Sequence, residues 1–314
     1  MKNNSRPSIV AHCDWSKDPK KRSMAVARRS DGKWEIALPE AVGRTDRLFD
    51  TLKNRALHDG ALLLGFDFPI GVPAFYGEAT GLGDFRTALR SFGTGRWSDW
   101  YSVCEDAAEI SVARPFYPMR PGGRKRHHLL TGLGAPTPDA LLRRCEHGTA
   151  TRPAACMLFW TLGGNQVGKG AITGWQEVIA PNIDGIGLWP FDGELDRLLA
   201  TNDIVVAETY PGDVYGQIGI PRRPPWSKRR REGRASVAGS LTDWLKARDV
   251  DFEPGLGSLI EDGFGPGPTG EDPFDALVGL LGMLDVVEGR LEPGNPRDPA
   301  IERWEGWILG QQAE

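Results

Sequence analysis

Five carboxylates stand where elements of the chain should end: Asp14, Asp67, Glu208, Asp272 and Asp275. Asp67 closes the apolar run "ALLLGFDFPIG" (61–71), and Glu208 closes "DIVVAETYPG" (203–212), each with a proline shortly after. Asp14 ends a further apolar stretch, "SIVAHCDW" (8–15). A buried, unpaired carboxylate costs several kcal/mol or shifts its pKa until it is neutral. Acids that end buried strands must therefore reach water, a hydrogen-bond donor or a metal. If the strands are neighbours in one sheet, their carboxylates project from one end of it. Asp272 and Asp275 are three residues apart, which puts them on one side of a helix. Converging carboxylates repel unless cations neutralise them, and hard oxygen ligands select Mg²⁺ or Mn²⁺. Two such ions held close together activate water and stabilise a leaving oxygen in phosphoryl transfer. Taken singly, each acid has a plainer explanation: Asp272 or Asp275 meets a helix dipole, and a strand-ending Asp caps a turn.

The elements that must position these acids can be read from hydrophobic period and turn chemistry. Residues 8–15 read as a first strand. Residues 23–29 alternate apolar and polar as a second, Asp31-Gly32 is a hairpin signal, and 33–39 is the third strand. "TDRLFDTLKNRALHDG" (45–60) carries Leu48, Phe49, Leu52, Ala56 and Leu57 at helical spacing behind an N-cap candidate, Thr45. With the run 61–71 this gives the order β-β-β-α-β. Helices are expected over 137–148, over the basic stretch 226–249 and over "DPFDALVGLLGMLDVVEG" (272–289); "GWQEVIAP" (174–181) is a short segment. Residues from about 75 to 185 fit no simple pattern and read as an insertion or lid in a single domain spanning 1–314.

The order of elements, with acids at these points, looks like the RNase H fold, a mixed five-stranded α/β sheet flanked by helices. The segments "GFDFPIGVP" (65–73), "GLWPFDGE" (187–194), "VVAETYP" (205–211), "EDPFDALVGLL" (271–281) and "EGWILG" (305–310) resemble the domain-of-unknown-function 429 family, regarded as predicted RNase H-like nucleases. That resemblance implies Asp14 as the first-strand acid bridging two ions, with Asp67 and Glu208 as strand-end ligands. Asp272 or Asp275 would be the final-helix ligand. It implies Mg²⁺ or Mn²⁺ as cofactor and DNA or RNA as partner.

Two basic tracts fit an anionic partner. "RRPPWSKRRREGR" (222–234) contains Lys228, Arg229 and Arg230, with Trp226 as a stacking platform for a base. "RPGGRKRHH" (120–128) contains Arg124, Lys125 and Arg126. The plainer reading of either is a solvated surface. His127-His128 has no zinc-ligand spacing and reads as a surface pair. "GGNQVGKG" (163–170) approaches a P-loop but has Gly170 where the metal-binding hydroxyl belongs. No GxSxG motif is present.

A net charge of −4 argues against a general nucleic-acid coat protein, while allowing local basic patches. The best apolar run, 276–287, is too short to span a bilayer and contains Asp285. The N-terminus lacks the apolar core of a signal peptide. Four cysteines without CxxC spacing suit reduced thiols in a cytoplasmic protein. Two further readings stay open. One is an actin-like or sugar-kinase-like phosphotransferase, which needs a nucleotide site and usually a duplicated core. The other is a non-catalytic module that binds nucleic acid or protein through the same fold.

Overall fold

Asp31 and Gly32 both adopt positive φ, 48° and 85°, the left-handed pair that a tight hairpin needs. They join strands Ser23–Ser30 (β2) and Lys33–Ile36 (β3). The computed structural model describes residues 6–57, 59–148, 153–163, 167–221, 225–294 and 297–312. Its other strands are Ile9–Asp14 (β1), Glu40–Ala41 (β4), Leu62–Phe66 (β5), Gly187–Leu188 (β6), Ile204–Glu208 (β7) and Asp251–Phe252 (β8). The sheet runs β6-β7-β5-β1-β2-β3-β8, with β4 on β2. β2 is antiparallel to β1 and β3, while β1, β5, β7 and β6 run parallel.

The sheet therefore has eight strands rather than the expected five. All five expected strands form its centre. The additional β4, β6 and β8 are two residues each, too short to carry a period in the sequence.

Both faces are covered, so the central strands are apolar on both sides. On one face the helix Glu271–Val287 lies across β1 and β2 with nearly all its residues buried. The closeness is set by glycine: a methyl on Gly279 would run into the His12 ring. The other face is covered by the aromatic-rich region 75–185, with Tyr76, Trp100, Phe116, Leu129, Phe159 and Trp175 in one core with Ile9, Ala11 and Cys13. The expected insertion is thus a full layer of the molecule.

Three expected helices differ. The 45–60 helix is a turn at Thr45–Arg47 followed by Leu48–Lys53, and Leu57 is left exposed. Residues 137–148 form two short turns, Pro138–Leu141 and Arg144–Glu146. The Arg143 side chain between them is drawn into the interior by Glu146 and Glu208. The 226–249 stretch forms helices only at Arg231–Ala235 and Ala238–Arg248. The segment 174–181 lies within a continuous helical run, Gly168–Asn182. No helix among the described residues is long and apolar enough to cross a membrane.

Candidate active site

Register decides which acids meet. Cys13 pairs with Phe66, and Phe66 with Glu208. These three share a face, because paired residues of parallel strands point the same way. The next rung, Asp14, Asp67 and Thr209, points to the opposite face, beneath the long helix. The Asp14 and Asp67 side chains are close enough to hydrogen bond to each other. Asp67 also accepts the Trp15 backbone N–H at 2.6 Å. Thr209 is buried on the same face, against Gly65 and near Met283 of the long helix, and its Oγ1 has no hydrogen-bond partner among the described residues.

The long helix brings Asp272 and Asp275 to this face from its first two turns. Asp275 is buried, and its two oxygens accept from the Tyr215 hydroxyl and the Lys228 ammonium. Lys228 Nζ also lies 3.2 Å from Glu271 Oε1. Asp272 is half-buried at the rim.

The electrostatics follow from burial and crowding. Burial first, then the Asp67, Asp275 and Asp272 charges, push the Asp14 carboxyl well above the usual range. Burial pushes Asp67 up to about 7, against the pull of the Trp15 N–H, with Asp275 adding repulsion. Asp272 is raised to about 6 by burial, then by Glu271 and Asp275. Burial also raises Asp275, offset by Lys228 and Tyr215.

Glu208, expected in this group, is elsewhere. It is buried on the other face, where Arg143 Nη1 and Nη2 donate to its two oxygens at 2.6 and 2.7 Å. The Ile70 N–H donates to it as well, at 2.7 Å. Arg143 also takes Glu146 at 2.9 Å. This buried ion pair ties β7 to the 75–185 layer, and its parity removes Glu208 from the acidic group.

The basic tracts divide. Lys228 is inside the acidic group. Trp226 is half-buried and packs edge-on against Tyr215 and Phe274. Arg229 and Arg230 are exposed. Residues 222–224 and 164–166, parts of two motifs above, lie outside the described residues. Arg124 is 3.6 Å from Asp106, Lys125 is exposed, and Arg126 lies over the Trp160 ring. All three belong to the 75–185 layer. His128 Nδ1 is hydrogen-bonded to the Tyr117 hydroxyl at 2.8 Å.

Sequence reasoning missed Tyr215, Thr209 and Arg234. Arg234 is fully buried. It donates to the carbonyls of Gly263, Gly265 and Gly267 and to that of Lys228. It thereby fixes the glycine-rich loop ahead of the long helix to the backbone that carries Lys228. Its place in a run of arginines hid it.

The donor set suits a hard cation in part. Asp14 and Asp67 offer carboxylate oxygens, and Thr209 an orphaned hydroxyl. Among the described residues, no three His, Cys, Asp or Glu side chains are grouped to hold an ion unaided. Mg²⁺ is commonly held by one or two carboxylates, with water and substrate phosphate completing the shell. No family model, curated protein or solved structure matches this chain.

Proposed function

We propose that this chain hydrolyses phosphodiester bonds of DNA or RNA, using Mg²⁺ or Mn²⁺ held at Asp14 and Asp67. The observation that carries the reading is the facing pair of carboxylates at the ends of adjacent parallel strands, with an orphaned Thr209 hydroxyl on the same rung. Support for an RNase H-like core comes from the mixed order β7-β5-β1-β2-β3, with β2 alone antiparallel to its neighbours and helices on the flanks. The likeness to the domain-of-unknown-function 429 family points the same way. Buried thiols at Cys13 and Cys104 suit the reducing cytoplasm.

A bound divalent ion supplies Lewis-acid charge and lowers the pKa of water. Asp14 and Asp67 hold that charge at the strand ends, and the Trp15 N–H fixes the Asp67 carboxylate. Asp272 faces the rim, where its carboxylate orients an incoming water. Arg229 and Arg230 attract the phosphate backbone. In the overall reaction the oxygen of water joins phosphorus and the bond to the leaving oxygen breaks. One proton of the water ends on that oxygen.

The test is incubation of the purified protein with labelled single- and double-stranded DNA and RNA, in Mn²⁺, Mg²⁺ or chelator, beside Asp14→Asn. We expect cleavage that needs the metal and is lost in an Asp14→Asn protein of unchanged circular dichroism. Absence of cleavage of all four substrates in both metals would overturn the proposal.

A further inference from the structure

We infer that the Lys228 ammonium permanently fills the place of a second cation, so that the carboxylate group takes one divalent ion and not two. The inference rests on the phosphodiesterase reading above and narrows it.

Asp275 has two carboxylate oxygens, and each already accepts from a protein donor, Tyr215 on one and Lys228 on the other. A metal ion entering beside Asp275 would share oxygens already committed to these donors and would sit against the Lys228 ammonium, whose like charge repels it. The ammonium also faces Glu271, four residues earlier on the long helix. It is therefore bracketed by two acids from successive turns. A lysine ammonium is a compact point charge, closer to a small cation in form than a planar guanidinium is.

Its position is built into the fold. Lys228 ends a segment whose carbonyl is held by buried Arg234, and Arg234 also holds three carbonyls of the loop that delivers Glu271 and Asp275. Gly233 lies directly against the Ser227 backbone, where a side chain would not fit. Sequence distance hides this closure: Lys228 and Asp275 are 47 residues apart and are brought into direct contact by the loop that Arg234 holds. The positive charge reaches Asp14 too, so it acts across the whole group. Among the described residues, Asp14 and Asp67 are left as the pair without a basic side chain bonded to them. Lys228 is thus a positioning residue: it neutralises the helix acids and leaves the strand acids to the metal.

The test counts ions directly. Mn²⁺ bound to the full chain is measured by equilibrium dialysis, with the free ion read by electron paramagnetic resonance. Asp14→Asn serves as the blank for surface sites. The expected difference is one ion per chain. Two ions would overturn the inference and leave the phosphodiesterase reading standing; none would overturn both. Lys228→Met should then raise the count to two, while Lys228→Arg, which keeps the charge, should stay at one. A folded Lys228→Met protein that still binds one ion with unchanged affinity would also overturn the inference. Should Lys228→Met not fold, the native count decides.

Discussion

A carboxylate at the end of a buried strand has two possible destinations, and one residue of offset chooses between them. Asp67 and Glu208 follow similar apolar runs, yet Asp67 meets Asp14 while Glu208 meets Arg143. The sequence could not separate them. Strands buried on both faces carry no alternation, so their phase is invisible until a partner strand fixes it. Asp14, Asp67, Asp272 and Asp275 were legible as a group because each lies at an element's end, whereas Thr209 and Tyr215 carry no charge to mark them. The separation is testable. Glu208→Gln should leave Mn²⁺ affinity unchanged, because Glu208 faces the other layer. Arg143→Met should lose about 3–5 kcal/mol, the usual cost of stranding a buried charge. Urea unfolding and Mn²⁺ titration of both variants check this. A tenfold loss of Mn²⁺ affinity in Glu208→Gln would place it back among the ligands.

At the level of elements, β1, β2, β3, β5, β7 and the long helix could be read within a few residues of their ends, because each is long enough to show a period or is closed by a turn signal. The 75–185 layer could not. Apart from the run Gly168–Asn182 its helices are short, and its order comes from aromatic contacts between residues far apart in sequence, such as Trp100 on Trp175 and Tyr76 on Phe159. The helix expected at 137–148 failed because a buried ion pair outweighs local helical preference. The seat of the long helix matters most for function, since it sets Asp272 and Asp275 against Asp14. The His12 side chain of β1 faces that helix, with Nδ1 3.2 Å from the Ala276 carbonyl oxygen. Gly279→Ala would overpack this contact, at a cost of about 1–3 kcal/mol, and should weaken Mn²⁺ binding by shifting the helix acids. Gly239 is an exposed helical glycine with open space around it. Gly239→Ala should gain up to about 1 kcal/mol with no effect on Mn²⁺. Equal effects of the two substitutions would mean that the helix seat is not glycine-dependent.

The whole molecule concentrates like charge at one point of a chain whose net charge is small, and this makes its stability depend on pH and on metal together. In the folded chain Asp67 titrates at about 7, against about 3.9 for an unfolded Asp. Between those values the folded protein keeps a proton that the unfolded chain has lost. Stability therefore falls as pH rises through this window, with the full cost present above it. Asp272, raised to about 6, acts in the same direction. His12 acts in the opposite direction. Burial lowers it to about 3, so its contribution is complete above about 6.5 and is lost as pH falls toward 3. His12 is common to metal-free and metal-bound protein, so the difference between the two isolates the carboxylates. Protons compete with the ion for the same oxygens. Added Mn²⁺ should accordingly change Tm little at pH 5 and raise it by roughly 5 °C at pH 8, given a hundredfold excess over Kd. The shift should vanish in Asp67→Asn, which should itself be more stable than the native chain in chelator at pH 8. Thermal scans at pH 5 and 8, with Mn²⁺ or chelator, measure all of this. A shift of equal size at both pH values, or one that persists in Asp67→Asn, would mean that the ion binds elsewhere on the surface and that the facing carboxylates serve only the fold.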